Sequence, residues 1–169
     1  MTKKILSGVI LLLALLVYVS AGLVSIHSHL DASEMDTTAY LSGAYQIHET
    51  GGIARHIQNS STGVYREATQ HPLYLLLLSP WAERDLRFFV RAKIITFLVG
   101  LALLFVFFFS VRAVLGAPAA LVGSCLLTLN ATYFHLSTMV ACESLLAFFF
   151  LLFWLFAVKG FQNNRWWLL

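Results

Sequence analysis

The charge-free run from Ile5 to Ile26 would form a helix roughly 33 Å long at about 1.5 Å per residue, enough to cross a hydrocarbon core of about 30 Å. Two more charge-free runs, Ile94 to Val111 and Ala113 to Cys142, lie further along, and a fourth, Ser144 to Val158, follows the single charge of Glu143. Hydrophobic residues make up 59% and charged residues 11% of the 169, where a soluble domain has roughly one-quarter charged. The pattern predicts an all-α integral membrane protein with about four transmembrane helices and an external loop carrying short interfacial helices. Three segments result: residues 1–26 as the first transmembrane helix, 27–91 as the external loop, and 92–169 as transmembrane helices two to four with the start of a fifth. Ser144 to Val158 would give only about 22 Å of helix, so the fourth span is expected to begin upstream and carry Glu143 in its first turns.

Charge in the short flanks sets the topology, because cytoplasmic ends retain Lys and Arg. Lys3, Lys4, Arg112, Lys159 and Arg165 all fall on one side of a four-crossing chain, which places the N-terminus on the cytoplasmic side and Asp36 and Glu143 together on the opposite, external or lumenal side; a bacterial plasma membrane is the expected location. An alternative takes Lys3-Lys4, the apolar stretch and Val19-Ser20-Ala21 as a cleaved secretory signal. Against it, the apolar run continues past Ala21 and exceeds the usual h-region of about 7 to 15 residues. Cys125 and Cys142 lack partners at metal-ligand or redox spacing. The net charge of +3 comes without a dense basic stripe, which argues against nucleic acid as a partner.

Within the loop, Ser33-Glu34-Met35-Asp36 matches a helix start. A surface-lying amphipathic helix is expected from about Glu34 to His48, with Met35, Ala39, Ala44 and Ile47 on its apolar face and Gly51-Gly52 as its stop. Asn59-Ser60-Ser61-Thr62-Gly63 reads as a loop. His71-Pro72 opens a short apolar segment closed by Pro80, too short to span. Residues 81–93 read as a helix in the headgroup layer, with Trp81, Phe88 and Phe89 facing down and Arg84, Arg87 and Arg91 facing out.

The order of these features resembles the N-terminal part of the multi-span C-type glycosyltransferases, the relatives of protein O-mannosyltransferases and aminoarabinose lipid A transferases. Asp36, Tyr40, Ala44 and Gly51 resemble that family's acid, tyrosine, small residue and glycine on the first external helix. Pro72-Leu73-Tyr74 resembles its proline-leucine-tyrosine segment. Arg112, Leu115-Gly116 and Ala119-Ala120-Leu121 are similar to its pattern between the second and third spans, and Glu143 falls at its outer acidic position. His71 and Asn130-Ala131 depart from it. The family's members are longer, and Arg165-Trp166-Trp167-Leu168-Leu169 looks like the opening of another span, so the chain is expected to be part of a larger protein.

The resemblance implies transfer of a sugar from a polyprenyl-phosphate donor, on the non-cytoplasmic side, to an acceptor that the sequence does not name. Asp36 would be the base, a role worth about 10² to 10⁴ in rate; a helix-start acid is its structural alternative. Glu143 would be a second acidic residue of the catalytic site, near acceptor or a divalent metal, and interface snorkelling is its alternative. Arg84, Arg87, Tyr40, His71 and Tyr74 are the candidates for donor-phosphate or substrate binding, with headgroup anchoring as the competing role for the arginines. His27-Ser28-His29 with Asp31 is a weak metal pattern. Asn59-Ser60-Ser61 is a glycosylation acceptor only in a eukaryotic lumen. No nucleotide-binding glycine loop, nucleophile elbow or zinc-protease helix occurs. The rival to an enzyme is a non-enzymatic accessory membrane subunit or part of a transporter.

Overall fold

The computed structural model describes residues 2–28, 35–63 and 71–162. The Ser33-Glu34 helix start, the His29 and Asp31 part of the metal pattern, Arg165 and the ending 163–169, expected to open a further span, lie outside the described residues, as do the side chains of Lys3, Lys4, Met35 and Ser60. Eight α-helices and one 3-10 turn are found among the described residues, and no strand.

Helix α1 (Thr2–Ser28) and α5 (Leu86–Leu115) are apolar and long enough to cross a bilayer, as is α8 (Glu143–Gln162). In lipid such segments must be helical, because only a helix pairs every backbone donor and acceptor within itself. The region between α5 and α8 differs from the single third span expected from its composition. It is a bent pair, α6 (Ala117–Thr128) and α7 (Ala131–Thr138), turned by 66°. Leu129 and Asn130 make the break, and the Asn130 side chain caps α7 by accepting from the Tyr133 N–H at 2.8 Å. The protein is thus multi-pass, with three spans, or four when the bent pair counts as one.

Glu143 opens α8 instead of sitting inside a helix begun upstream. The missing length comes from the other end, where α8 runs through Lys159 to Gln162. A lysine at the last turn costs little, because its cation favours a helix C-terminus and its stem can reach the interface.

Long-range contacts fix the two ends of the bundle. Lys93 Nζ reaches the Ile26 carbonyl at 3.5 Å, joining the C-terminal end of α1 to the N-terminal part of α5. Gln162 Nε2 donates to the Ala113 carbonyl at 3.1 Å, joining the far ends of α8 and α5. Between them, Tyr18 donates to Ser137 Oγ at 2.5 Å, since the Ser137 hydrogen goes to the Phe134 carbonyl. Tyr133 donates to the Gly100 carbonyl at 2.6 Å. Gly100 permits this close crossing: a Cβ there would lie 2.6 Å from Ser137 Cβ.

The connection between α1 and α5 folds as a small helical layer on one end of the bundle: α2 (Met35–Glu49), α3 (Gly52–Ser61), α4 (Pro72–Leu78) and the 3-10 turn Ser79–Trp81. Gly51 and Gly52, at φ 103° and 79°, make the stop after α2. The Asn59–Ser61 stretch closes helix α3 and is not a loop; its polar side chains can bond back to helix carbonyls, as Ser61 does to Gln58. The apolar face of α2 also differs from expectation. Thr37, Tyr40, Ala44 and Ile47 are buried and Ala39 is exposed, because α2 packs this stripe on α4.

Candidate functional site

Asp36 and Glu143 each stand in the first turn of a helix, α2 and α8 respectively, where the helix dipole favours negative charge. Both carboxylates are exposed. Tyr40 is buried, and its hydroxyl donates to Cys142 Sγ at 3.2 Å across 102 positions of sequence. Asp36 stands one turn before Tyr40 and Glu143 directly follows Cys142, so this contact brings the two acids to one rim of the bundle.

Tyr74 completes the floor. Its ring meets the Tyr40 ring edge-on at 5.1 Å, and its hydroxyl lies 2.6 Å from Thr96 Oγ1. Thr96 spends its own hydrogen on the Ala92 carbonyl at 2.9 Å, so Tyr74 is the donor. One phenol thus ties α4 to α5.

His71 reaches the same cluster, its ring 6.1 Å from Tyr40. It is the one non-glycine residue at positive φ among the described residues, at φ 58° and ψ 62°. Pro72 at the first position of α4 disfavours the right-handed helical region for the residue before it, and the left-handed conformation costs roughly 1 kcal/mol or more.

The arginines stand apart. Arg84 lies over the Tyr45 ring at 4.7 Å, and Arg87 pairs with Asp85 at 3.4 Å. Arg91 bonds Glu83 at 2.7 Å. The expected headgroup helix over 81–93 is interrupted at 82–85, and α5 begins at Leu86. Phe88 and Phe89 do not face lipid but pack into the cluster that holds Tyr40 and Tyr74. Lys93, the last residue of that stretch, is fully buried, 5.3 Å over the Phe89 ring.

Burial raises the Tyr40 phenol well above the usual range, and the Cys142 contact and the charges of Glu143 and Asp36 add to that. The Cys142 thiol is pushed up by burial, with Tyr40 pulling the other way and Glu143 adding to the rise. Tyr40 and Tyr74 are neutral hydrogen-bond donors at physiological pH and cannot serve as bases. Proton acceptance at this rim falls to the two carboxylates and His71.

Among the described residues no three His, Cys, Asp or Glu side chains converge as a metal site, so the divalent-metal expectation finds no donor set there and no step is drawn through a metal. His27 Nδ1 bonds the Leu23 carbonyl at 2.8 Å within its own helix. Sequence reasoning passed over Cys142 and Thr96. Thr96, a hydroxyl two residues into the charge-free run of α5, was a readable signal; Cys142 was not, since its role arises from a contact with a distant helix. Comparison with known protein families, characterised proteins and solved structures finds no match to this chain.

Proposed function

We propose that this protein is a membrane-embedded module of a glycosyltransferase that moves a sugar from a polyprenyl-phosphate donor to an acceptor on the non-cytoplasmic side. The observation that carries the reading is the Tyr40–Cys142 hydrogen bond, which brings Asp36, one turn before Tyr40, and Glu143, next to Cys142, to one rim. Asp36 takes the proton of the acceptor nucleophile as it attacks the anomeric carbon, and the lipid phosphate leaves. Glu143 holds the acceptor, or sets the charge of the site. His71 is the cation-capable side chain beside Tyr40, and it, rather than Arg84 or Arg87, meets the leaving phosphate. The basic residues at the opposite end of the bundle support a cytoplasmic N-terminus of the kind found in a bacterial plasma membrane.

The test is sugar transfer by membranes containing the full-length protein. Asp36→Asn is expected to lower transfer by about 10² to 10⁴ at unchanged membrane abundance, and Glu143→Gln to lower it as well. Full transfer by both variants would end the proposal. A second reading, an accessory subunit or part of a transporter, is favoured by one observation: Arg84 and Arg87 are engaged locally with Tyr45 and Asp85, as assembly or anchoring residues would be.

A further inference from the structure

The segment Pro72–Trp81, α4 with its 3-10 turn, is apolar and too short to cross a bilayer. It has two faces. Tyr74, Leu75 and Leu78 are buried against α2 and α5, whereas Leu73, Leu77 and Trp81 are 54%, 37% and 55% exposed. These three recur at every fourth position and form one strip along the segment.

The hydroxyl bond between Tyr74 and Thr96 gives the depth of this strip. Thr96 lies in the charge-free run of α5 from Ile94 to Val111, which as a helix is roughly 27 Å long and so is needed almost entirely to fill a hydrocarbon core of about 30 Å. Thr96 therefore sits just inside the hydrocarbon boundary, and α4, in side-chain contact with it, lies at that level. Charge returns immediately after Trp81, with Glu83, Arg84, Asp85 and Arg87 all exposed. A tryptophan between an apolar strip and a cluster of charges is the arrangement found where chains meet headgroups.

We propose that α4 and its 3-10 turn form an in-plane membrane anchor, with Leu73, Leu77 and Trp81 immersed in the acyl-chain layer of the leaflet on the α2–α4 side. The occupant of the exposed strip is lipid hydrocarbon, and Arg84 and Arg87 meet the headgroups above it. This assignment stands independently of any catalytic role. It holds the Asp36–Glu143 rim at the membrane surface, within lateral reach of a molecule dissolved in the bilayer.

The experiment uses the full chain in phosphatidylcholine–phosphatidylglycerol vesicles, with Trp154, Trp166 and Trp167 changed to Phe so that Trp81 alone emits. A ring seated roughly 5–10 Å into the boundary should show blue-shifted emission and about a twofold loss with lipid brominated near the headgroup. Lipid brominated deep in the chain and aqueous iodide should each quench less. Emission as in water with strong iodide quenching would overturn the assignment. Shielding from both lipid and iodide would also overturn it, and would indicate a protein partner on the strip. If the triple variant does not fold, a spin label on Leu77→Cys in a Cys125→Ser background reports the same point. There, collision with oxygen is expected to exceed collision with a water-soluble nickel chelate, and the reverse order would refute the anchor.

Discussion

Changing Tyr74 to Phe deletes a single oxygen that joins α4 to α5, where the hydroxyl donates to Thr96 Oγ1. After the change Thr96 keeps its bond to the Ala92 carbonyl and the ring keeps its edge contact with Tyr40. The loss is thus one hydrogen bond, about 0.5–1.5 kcal/mol. Thr96→Val removes the acceptor and leaves the buried phenol hydrogen without its partner, for about 1 kcal/mol or more. In the double variant the Thr96 loss has already been incurred, so the two costs should fall short of their sum by about 0.6–1.5 kcal/mol, the range for hydrogen bonds in and near membranes. Unfolding of the four proteins in one detergent, by thermal or steric-trapping methods, measures the coupling. Additivity within about 0.3 kcal/mol would refute the contact, and with it the depth assigned to α4.

Gly100→Ala places a Cβ 2.6 Å from Ser137 Cβ and is expected to destabilise by about 1–3 kcal/mol through overpacking; Gly8→Ala, which meets nothing within 4 Å, should show no such loss in the same melt. Asn130→Ala removes the cap on Tyr133 N–H and should cost about 1 kcal/mol, seen as a lower Tm. Alkaline pH provides a fourth test. The folded Tyr40 phenol titrates above the ordinary value of 10.0, so its contribution to stability is complete below about pH 10 and declines as the pH rises beyond it, where the unfolded phenol ionises and the folded one does not. Tyr40→Phe should flatten the fall in Tm between about pH 9 and 11.5, and a Tyr40 phenolate absorbance appearing near pH 10 in the folded protein would contradict this.

Much of the site was legible because it depends on local signals. Asp36 near a helix start, Tyr40 one turn later, and Pro72-Leu73-Tyr74 opening a helix are all patterns of neighbouring residues, and α2 and α4 form where those patterns fall. Joining Asp36 to Glu143 needed only the parity of crossings. The failures are of a different kind. Ala39 was placed on the apolar face because alternative helical stripes share the same period, and only packing on α4 selects the one through Thr37 and Tyr40. Arg84 and Arg87 find Tyr45 and Asp85 as local partners, which charge alone does not foretell. Lys93 is covered by the α1 terminus, which its position next to the charge-free run does not foretell.

Composition and the spacing of charges were enough to make this an all-helical membrane protein. Long uncharged runs have one inexpensive way to place their backbone polar groups in lipid, and that way is a helix. Which side chains meet was decided only when the helices packed. The 66° break between α6 and α7 and the Tyr40–Cys142 and Tyr74–Thr96 contacts depend on close fit between segments remote in the chain. Such fit leaves no period in the sequence, since it is a property of two surfaces and their separation.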